Sequence, residues 1–317
     1  MRNFKYFKVG LIAAMVLQWM AMPVFAQDQK AAAPVEEEVA IKAPPRSVKD
    51  VLAAVERTKS DPEEVAKSKA IIASPAPDGS DKEQMHLYHK QRAQAYQMIG
   101  RNDLAILDMR LATDQYKSRD PRSHIQSMMD LGIYENRGGN LKNAIATFEQ
   151  TKAGIPQSLS GFYMAVNRML VGSYAQAGNF EASEAALRDA DATLVFLRRS
   201  PAYTNTGPIW ESNLDAARSF NFMAQGRWVE AERFSRLSIQ KNDSAIERYE
   251  LELKKATQSA EQVSAARALK SQKQFKIARQ LDLSHCIMMQ GRLVDAEIQV
   301  REALDLALKT FDRDRKS

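Results

Sequence analysis

The stretch that decides the fold is Asp130 to Thr151, DLGIYENRGGNLKNAIATFEQT. It holds two short helical patterns on either side of a turn at Gly139-Asn140. Antiparallel helices approach closely only where small residues lie at their crossing, and Gly132 on the first helix and Ala144 on the second provide them. Gly139 adopts at low cost the left-handed backbone with which the first helix would end. Because a lone pair of this kind cannot bury its apolar face, the stretch predicts stacking on copies of itself.

Four further copies are found when the chain is aligned on the turn glycine. Each turn glycine is followed by Arg or Asn, and the five are Gly100, Gly139, Gly178, Gly226 and Gly291. The position five residues later holds Ala105, Ala144, Ser183, Ala231 and Ala296, and the position seven residues earlier holds Ala93, Gly132, Val171, Ser219 and Ser284. A bulky residue stands four before the glycine in four copies, as Tyr96, Tyr174, Phe222 and Ile287, with Glu135 as the exception. The pattern predicts an all-α fold, an α-solenoid of about five antiparallel helix pairs.

The quoted stretch resembles a tetratricopeptide (TPR) repeat. The resemblance rests on Leu131-Gly132, the turn glycine, Ala144 followed four residues later by Phe148, and Pro156 where the closing proline belongs. It implies a TPR-like superhelix whose first helices line a concave groove. The chain departs from the family because all five copies lack the tryptophan near the start of the first helix. The turn glycines are 39, 39, 48 and 65 residues apart, whereas standard repeats have about 34 residues, so longer helices or connections must absorb the difference.

Residues 1–26 read as a secretory signal peptide. Arg2, Lys5 and Lys8 form a basic start, an apolar run follows, and Val24-Phe25-Ala26 is a small-residue cleavage site. The alternative is an uncleaved anchor, although the apolar run has only 14 residues and a membrane span needs about 20. Cleavage near Ala26 predicts a bacterial periplasmic or secreted protein whose net charge falls from +6 to about +3. With Cys286 as the single cysteine, neither a lipid anchor at the cleavage site nor an internal disulfide is expected.

The mature chain divides by composition. Residues 27–46, rich in Ala, Pro and Glu, are expected to form a disordered tether, and 47–80 an N-terminal helical cap whose second helix begins at Ser60-Asp61-Pro62 and ends near Ala73. The TPR-like solenoid occupies 81–312, and 313–317 is a charged tail. A turn-rich break is predicted at Ser200 to Pro208. Residues 228–290, without Gly or Pro, predict a long projecting helical hairpin with its bend near Thr257 to Glu261; a single bent helix is the alternative.

No catalytic, cofactor or metal chemistry is predicted. His285 and Cys286 are neighbours on a helix and point about 100° apart, so they do not form a nucleophile and base pair. His86 and His89 share a helical face, but two ligands without a third do not define a metal site. Lys and Arg are scattered among nearly as many Asp and Glu, a pattern that does not favour nucleic-acid binding. The sequence therefore indicates a binding protein and not an enzyme.

A protein or peptide partner is expected in the groove. The register of the turn glycines places there Lys90, Gln94, Gln97, Gln126, Asn136, Arg137, Arg168, Gln176, Asn213, Phe220 and His285. Amide and guanidinium groups suit this role because they hydrogen-bond peptide backbones and carboxylates. The alternative is that these residues are simply solvated polar positions.

Two other functions are kept as alternatives. Asp61-Pro62, the Pro75-Ala76-Pro77 break and Gly100-Arg101, together with Tyr88 and Arg92, resemble the N-terminal repeat region of exported bacterial proteins that carry a caspase-like CHAT peptidase domain behind their repeats. That resemblance implies a segment that recruits substrates or regulators for a peptidase domain absent from these residues. The last helix places Leu304, Leu308 and Phe311 on one face, which favours homo-oligomerisation through that helix.

Overall fold

The computed structural model describes residues 62–201 and 203–311. Within this part the chain forms eleven α-helices and no strand. They are α1 (Pro62–Ala73), α2 (Lys82–Met98), α3 (Asn102–Arg110), α4 (Pro121–Arg137), α5 (Leu141–Ala153), α6 (Ser160–Gln176), α7 (Phe180–Leu197), α8 (Tyr203–Ala224), α9 (Trp228–Lys255), α10 (Ser259–Met289) and α11 (Leu293–Phe311). The signal peptide, the tether, the first helix of the cap and the tail that the sequence predicts lie outside the described residues.

The turn glycines behave as the sequence predicts. All five have positive φ angles, between 71° and 81°, and each lies between two consecutive helices. This left-handed conformation is open to glycine at little cost. The chain therefore forms the helix pairs α2–α3, α4–α5, α6–α7, α8–α9 and α10–α11, which confirms the TPR-like α-solenoid.

Hydrogen bonds of small residues join the crossing helices. The Ser219 hydroxyl donates to the Ala231 carbonyl at 2.8 Å, and the Ser284 hydroxyl donates to the Ala296 carbonyl at 2.9 Å. In α6–α7 the direction is reversed, because the Ser183 hydroxyl donates to the Val171 carbonyl at 3.0 Å. These bonds join the positions seven before and five after the turn glycine, so the predicted crossing is where the backbones meet.

The first helix of each pair lies on the concave side of the stack. Neighbouring first helices contact one another directly, α4 with α6, α6 with α8 and α8 with α10. No two second helices in the described chain make comparable contact, since each packs on the first helices beside it. Neighbouring units lie closest on the inner side of a curved stack, so the first helices form its inner surface.

Glu135 departs from the bulky apolar pattern and is nevertheless buried, with 1% of its surface exposed. Its carboxylate accepts hydrogen bonds from Arg110 Nε at 3.0 Å and from Asn140 Nδ2 at 2.9 Å. The guanidinium comes from the preceding pair and the amide from the turn. This charged contact joins the first two pairs, and at the same register the Tyr174 hydroxyl of the third pair donates to Glu149 Oε1 of the second pair.

Replacing Arg110 by Met is expected to lower the free energy of unfolding by about 1–2 kcal/mol, because a buried carboxylate then loses its cation. The loss stays below that of a fully buried ion pair since the Arg110 side chain is 44% exposed. Urea denaturation measures it. The double variant Arg110→Met/Glu135→Met is expected to recover most of this stability. The position of Glu135, four residues before the turn glycine, holds Tyr, Phe or Ile in the other helix pairs and therefore accepts an apolar side chain. Equal losses in the single and double variants would contradict this explanation.

The long hairpin is present as two helices. Helix α9 has 28 residues and α10 has 31, and they are separated by residues 256–258. The Ser212 hydroxyl donates to the Ser238 carbonyl at 2.6 Å, so α8 runs antiparallel to α9 and its first residue lies about level with Glu247. Only the last eight or so residues of α9 extend past α8, about 12 Å at about 1.5 Å per residue. Only the end of the α9–α10 hairpin, next to its turn, therefore projects from the stack.

The turn-rich break predicted at Ser200 to Pro208 is wrong, because α8 already begins at Tyr203. Pro208 lies inside the helix, close enough to its start that the missing N–H removes one hydrogen bond early in the helix. Gly207 leaves room for the Tyr203 ring, which would lie 2.8 Å from an added Cβ atom. The extra helical residues of α8 cover most of α9.

None of the described helices combines the length and apolarity that a membrane span needs.

Candidate functional site

The structure places all eleven predicted groove residues on first helices. Helix α2 carries Lys90, Gln94 and Gln97; α4 carries Gln126, Asn136 and Arg137; α6 carries Arg168 and Gln176; α8 carries Asn213 and Phe220; and α10 carries His285. Gln94, Arg137 and Gln176 are exposed and the other eight are partly buried. Their contacts divide this surface into an N-terminal part and a central part, while the assignment of each residue to ligand binding stays a prediction.

In the N-terminal part, polar groups largely satisfy one another. Arg137 Nη1 donates to Gln97 Oε1 at 3.4 Å, which connects α4 with α2. Gln126 Nε2 donates to Asp130 Oδ1 at 3.0 Å. Burial raises the pKa of Asp130, whereas this hydrogen bond and the charges of Lys90 and Arg137 oppose the rise. The carboxylate of Asp130 therefore has both a donor and two cations nearby.

The central part is organised by Arg279 on α10. Only 5% of the surface of Arg279 is exposed. Its guanidinium donates from Nη2 to Asn213 Oδ1 on α8 at 2.7 Å. It also donates from Nη1 to Asn242 Oδ1 on α9 at 2.5 Å. Asn242 is held in turn, because its Nδ2 donates to Gln272 Oε1 at 3.1 Å. Three helices thus fix the position of one buried guanidinium.

A second guanidinium, that of Arg168 on α6, lies close to the first. Burial chiefly, and the charge of Arg168 next, lower the pKa of Arg279 to about 10, and burial also lowers the pKa of Arg168. Between these two helices, α8 has Ala216 at the register that Arg168 occupies on α6. At this register α8 therefore carries neither a long nor a charged side chain.

Asp282, one turn along α10 from Arg279, completes this central site. Burial raises the pKa of its carboxyl to about 6, and the charge of Arg279 opposes the rise. Within the described residues no hydrogen bond or ion pair joins Asp282 or Arg168 to another protein group. We call Arg168, Asn213, Arg279 and Asp282 the central cluster. It combines the buried guanidinium of Arg279 with the partly buried guanidinium of Arg168 and the partly buried carboxylate of Asp282.

The groove residues predicted from the sequence include Arg168 and Asn213 but not Arg279 or Asp282, which lie on α10. Asp282 lies nine residues before its turn glycine, a register it shares with Asp130, and Arg279 lies twelve before. The position twelve residues before the turn glycine holds Ser127, Val166 and Leu214 in the three preceding pairs, and all three are fully buried. This pattern indicates a core position. The presence of the charged Arg279 at this core position is the feature of the sequence that could have indicated the site.

The histidines and the cysteine that the sequence analysis considered for chemistry contact other protein groups. The His285 ring packs edge-on against Trp228 at 5.5 Å between centroids, and Cys286 is fully buried, which raises the pKa of its thiol to about 12. His86 Nδ1 lies 2.9 Å from the Ala112 carbonyl oxygen and His89 Nδ1 lies 2.7 Å from Asp108 Oδ1. The two imidazoles therefore point at different partners. No cluster of three potential metal ligands occurs in residues 62–201 and 203–311.

No family model and no characterised protein match the sequence. Solved structures do match. A putative kinesin light chain of P. anserina with nearly identical TPR-like repeats is 16% identical over 72% of this chain and 97% of that chain, with a TM-score of 0.42. BtubC (BKLC) from P. vanneervenii is 12% identical over 82% and 90%, with a TM-score of 0.44. The Rap conjugation regulator of plasmid pLS20, solved with the Phr* peptide, is 16% identical over 78% and 68%, with a TM-score of 0.42.

These similarities concern the fold alone. In the residues that the structure describes, the helix pairs form an all-helical, TPR-like solenoid.

Proposed function

We propose that this protein is a non-catalytic scaffold that binds an extended segment of a protein or peptide partner along its concave groove. In this proposal the central cluster is the anchor, and Arg168 together with Arg279 holds an anionic group of the partner. The observation that carries the proposal is the guanidinium of Arg168, which is partly buried on the groove surface and makes no hydrogen bond or ion pair within the described chain.

Physical chemistry supports an anionic group at this position. A desolvated cation without a counter-charge is unfavourable, and a second cation nearby makes it more so. A carboxylate bound by Arg168 would relieve both effects and could form the bidentate pair that guanidinium groups favour. Arg279 is already oriented by Asn213 and Asn242, so little side-chain entropy is lost when the partner binds.

Other groove residues suit the remainder of an extended segment. Amide side chains on α2 and α4, among them Gln94 and Asn136, can pair with peptide N–H and C=O groups on either side of the anchor. Such contacts add affinity without selecting side chains, whereas the charged central cluster selects them. The proposal therefore assigns specificity to α6, α8 and α10.

We place this scaffold in the bacterial periplasm or outside the cell because residues 1–26 have the pattern of a signal peptide. The second candidate, the recruiting segment of a CHAT-type peptidase, uses the same groove for substrates or regulators. It rests on the sequence resemblance alone. Both candidates require a partner in the groove, so one binding experiment bears on both.

The test is a selection of peptides from a random displayed library on the chain that starts at Gln27. Peptides enriched on this chain are measured by fluorescence anisotropy against Arg168→Gln and, as the matched control, Arg188→Gln, which changes an exposed Arg on the second helix α7. Arg168→Gln is expected to weaken binding by about tenfold or more, since a hydrogen bond to a charged group contributes about 1.5–3 kcal/mol. The control is expected to bind as the unaltered chain does. Equal affinity of all three proteins would overturn the proposal.

A further inference from the structure

Asp282 is the group of the central cluster that an anionic ligand does not explain. It is half-buried on α10, and a carboxylate alone would repel the acidic group assigned to Arg168. Its neighbour Arg279 donates hydrogen bonds to Asn213 and Asn242. The oxygens of Asp282 are therefore left without a donor among the described residues.

Comparison with Asp130 shows that this situation is not imposed by the fold. Both carboxylates lie nine residues before a turn glycine, on first helices of the same solenoid. Asp130 accepts a hydrogen bond from Gln126 and lies near Lys90 and Arg137. Asp282 has one cation nearby and no donor. The same register thus holds a carboxylate with a donor and two cations in one pair, and a carboxylate with a single cation and no donor in another.

The surroundings of Asp282 leave one chemical class of partner. Helices α8, α9 and α11 pack against α10, and α8 contributes the neutral amide of Asn213 near Arg279. Within the described chain, Arg279 is the one charged group that shifts the pKa of Asp282. On α10 itself, His285 packs on Trp228 and the thiol of Cys286 is neutral. A carboxylate with this little compensation is suited to a Lys ammonium or an Arg guanidinium.

We infer that the groove is a two-charge site, in which Arg168 and Arg279 bind an acidic side chain and Asp282 binds a basic side chain of the same peptide segment. The inference rests on the proposed function, because it assigns a ligand class to the same groove. A segment with neighbouring Glu or Asp and Lys or Arg side chains would neutralise the whole cluster. A segment with acidic residues alone would leave Asp282 desolvated and repelled.

The two-charge site makes binding depend on pH. Asp282 must be ionised to hold a cation, and its pKa of about 6 lies well above the ordinary value for aspartate. Affinity for a peptide with both charges is therefore expected to fall as the pH drops through that value. The loss at about pH 5 is on the order of tenfold, since about one site in ten would then be ionised. Replacing the basic residue of the peptide by Gln should remove this dependence.

The experiment uses peptides enriched from the displayed library on the chain that starts at Gln27, synthesised with blocked ends. Each is compared with a version in which its Lys or Arg is replaced by Gln and with a version in which its Glu or Asp is replaced by Gln or Asn. Affinities are measured near neutral pH and at about pH 5 for the unaltered chain, Asp282→Asn and Arg168→Gln. The unaltered chain should prefer the basic version about tenfold near neutral pH, Asp282→Asn should lose that preference while it still requires the acidic residue, and Arg168→Gln should lose the acidic requirement.

The outcomes separate this inference from the proposed function. Dependence on Arg168 without any preference for the basic residue would overturn the two-charge site and leave the groove assignment standing. An equal preference in the unaltered chain and in Asp282→Asn would do the same. If no peptide is enriched, or if Arg168→Gln binds every peptide as the unaltered chain does, both proposals are wrong. Circular dichroism melting of each variant verifies that the altered chains are folded.

Discussion

Replacing Gly132 by Ala is expected to lower the free energy of unfolding by about 3 kcal/mol. A Cβ atom at this position would overlap the Phe148 ring, which lies directly against the Gly132 backbone. Phe148 is 2% exposed and packs in the core formed by α4 to α8, so the ring cannot turn outward. Either α4 and α5 separate or the ring is displaced. Urea denaturation monitored by circular dichroism measures the effect.

Two matched variants make this prediction specific. Gly172 lies in α6, where an added Cβ would be 3.9 Å from the Phe220 ring, so Gly172→Ala should be neutral or stabilise by about 0.5–1 kcal/mol through helix propensity. Gly132→Ala/Phe148→Met should recover much of the loss, because α2–α3 combines Ala93 with Met109 at the same two registers. Equal effects of the two Gly→Ala changes would contradict the packing described here.

Replacing Asp282 by Asn is expected to stabilise the protein near neutral pH by about 2 kcal/mol, at about 1.36 kcal/mol per pKa unit and discounted for partial exposure. Burial raises the folded-state pKa from 3.8 to about 6, so the folded state favours the neutral acid. The carboxylate therefore lowers stability above that pKa, and this cost disappears as the pH falls towards the unfolded-state value. Asparagine carries no charge and removes the cost at every pH.

The measurement is the difference in unfolding free energy between Asp282→Asn and the unaltered chain across the acidic range. The difference should be largest near neutral pH and shrink towards zero near about pH 4. Asp130→Asn is the comparison, because burial also raises the pKa of Asp130 but a donor and two cations oppose that rise, so its loss should stabilise the chain less than Asp282→Asn does. A pH-independent difference, or destabilisation by Asp282→Asn, would contradict the uncompensated state of this carboxylate.

The features that the sequence predicted correctly depend on local geometry. A positive φ at Gly139 and its equivalents follows from the backbone freedom of glycine, and the helix crossings follow from small residues at fixed distances from it. The start of α8 was missed because Pro208 reads as a break, whereas the Tyr203 ring packs over Gly207 within the helix. That packing becomes visible only in three dimensions.

The candidate site was predicted in part. Arg168 follows from its register, since that position points to the inner side of any such stack. Arg279 and Asp282 could not be found in this way, because their candidate roles depend on how α6, α8 and α10 approach one another. Periodicity along one helix does not contain the contacts between non-adjacent helices. Glu135 is a similar case, since its partner Arg110 belongs to the preceding pair.

The central claim, that a partner occupies the concave groove, is tested most directly by site-specific photocrosslinking. A photoreactive amino acid is placed at Ala216 on the groove side of α8 or, as the control, at the exposed Glu184 on the second helix α7, in the chain expressed with residues 1–26. After illumination of whole cells, Ala216 should give one discrete adduct that the selected peptide competes away and that Arg168→Gln abolishes, while Glu184 gives none. An adduct at Glu184 alone, or one at Ala216 unaffected by both peptide and variant, would contradict the account.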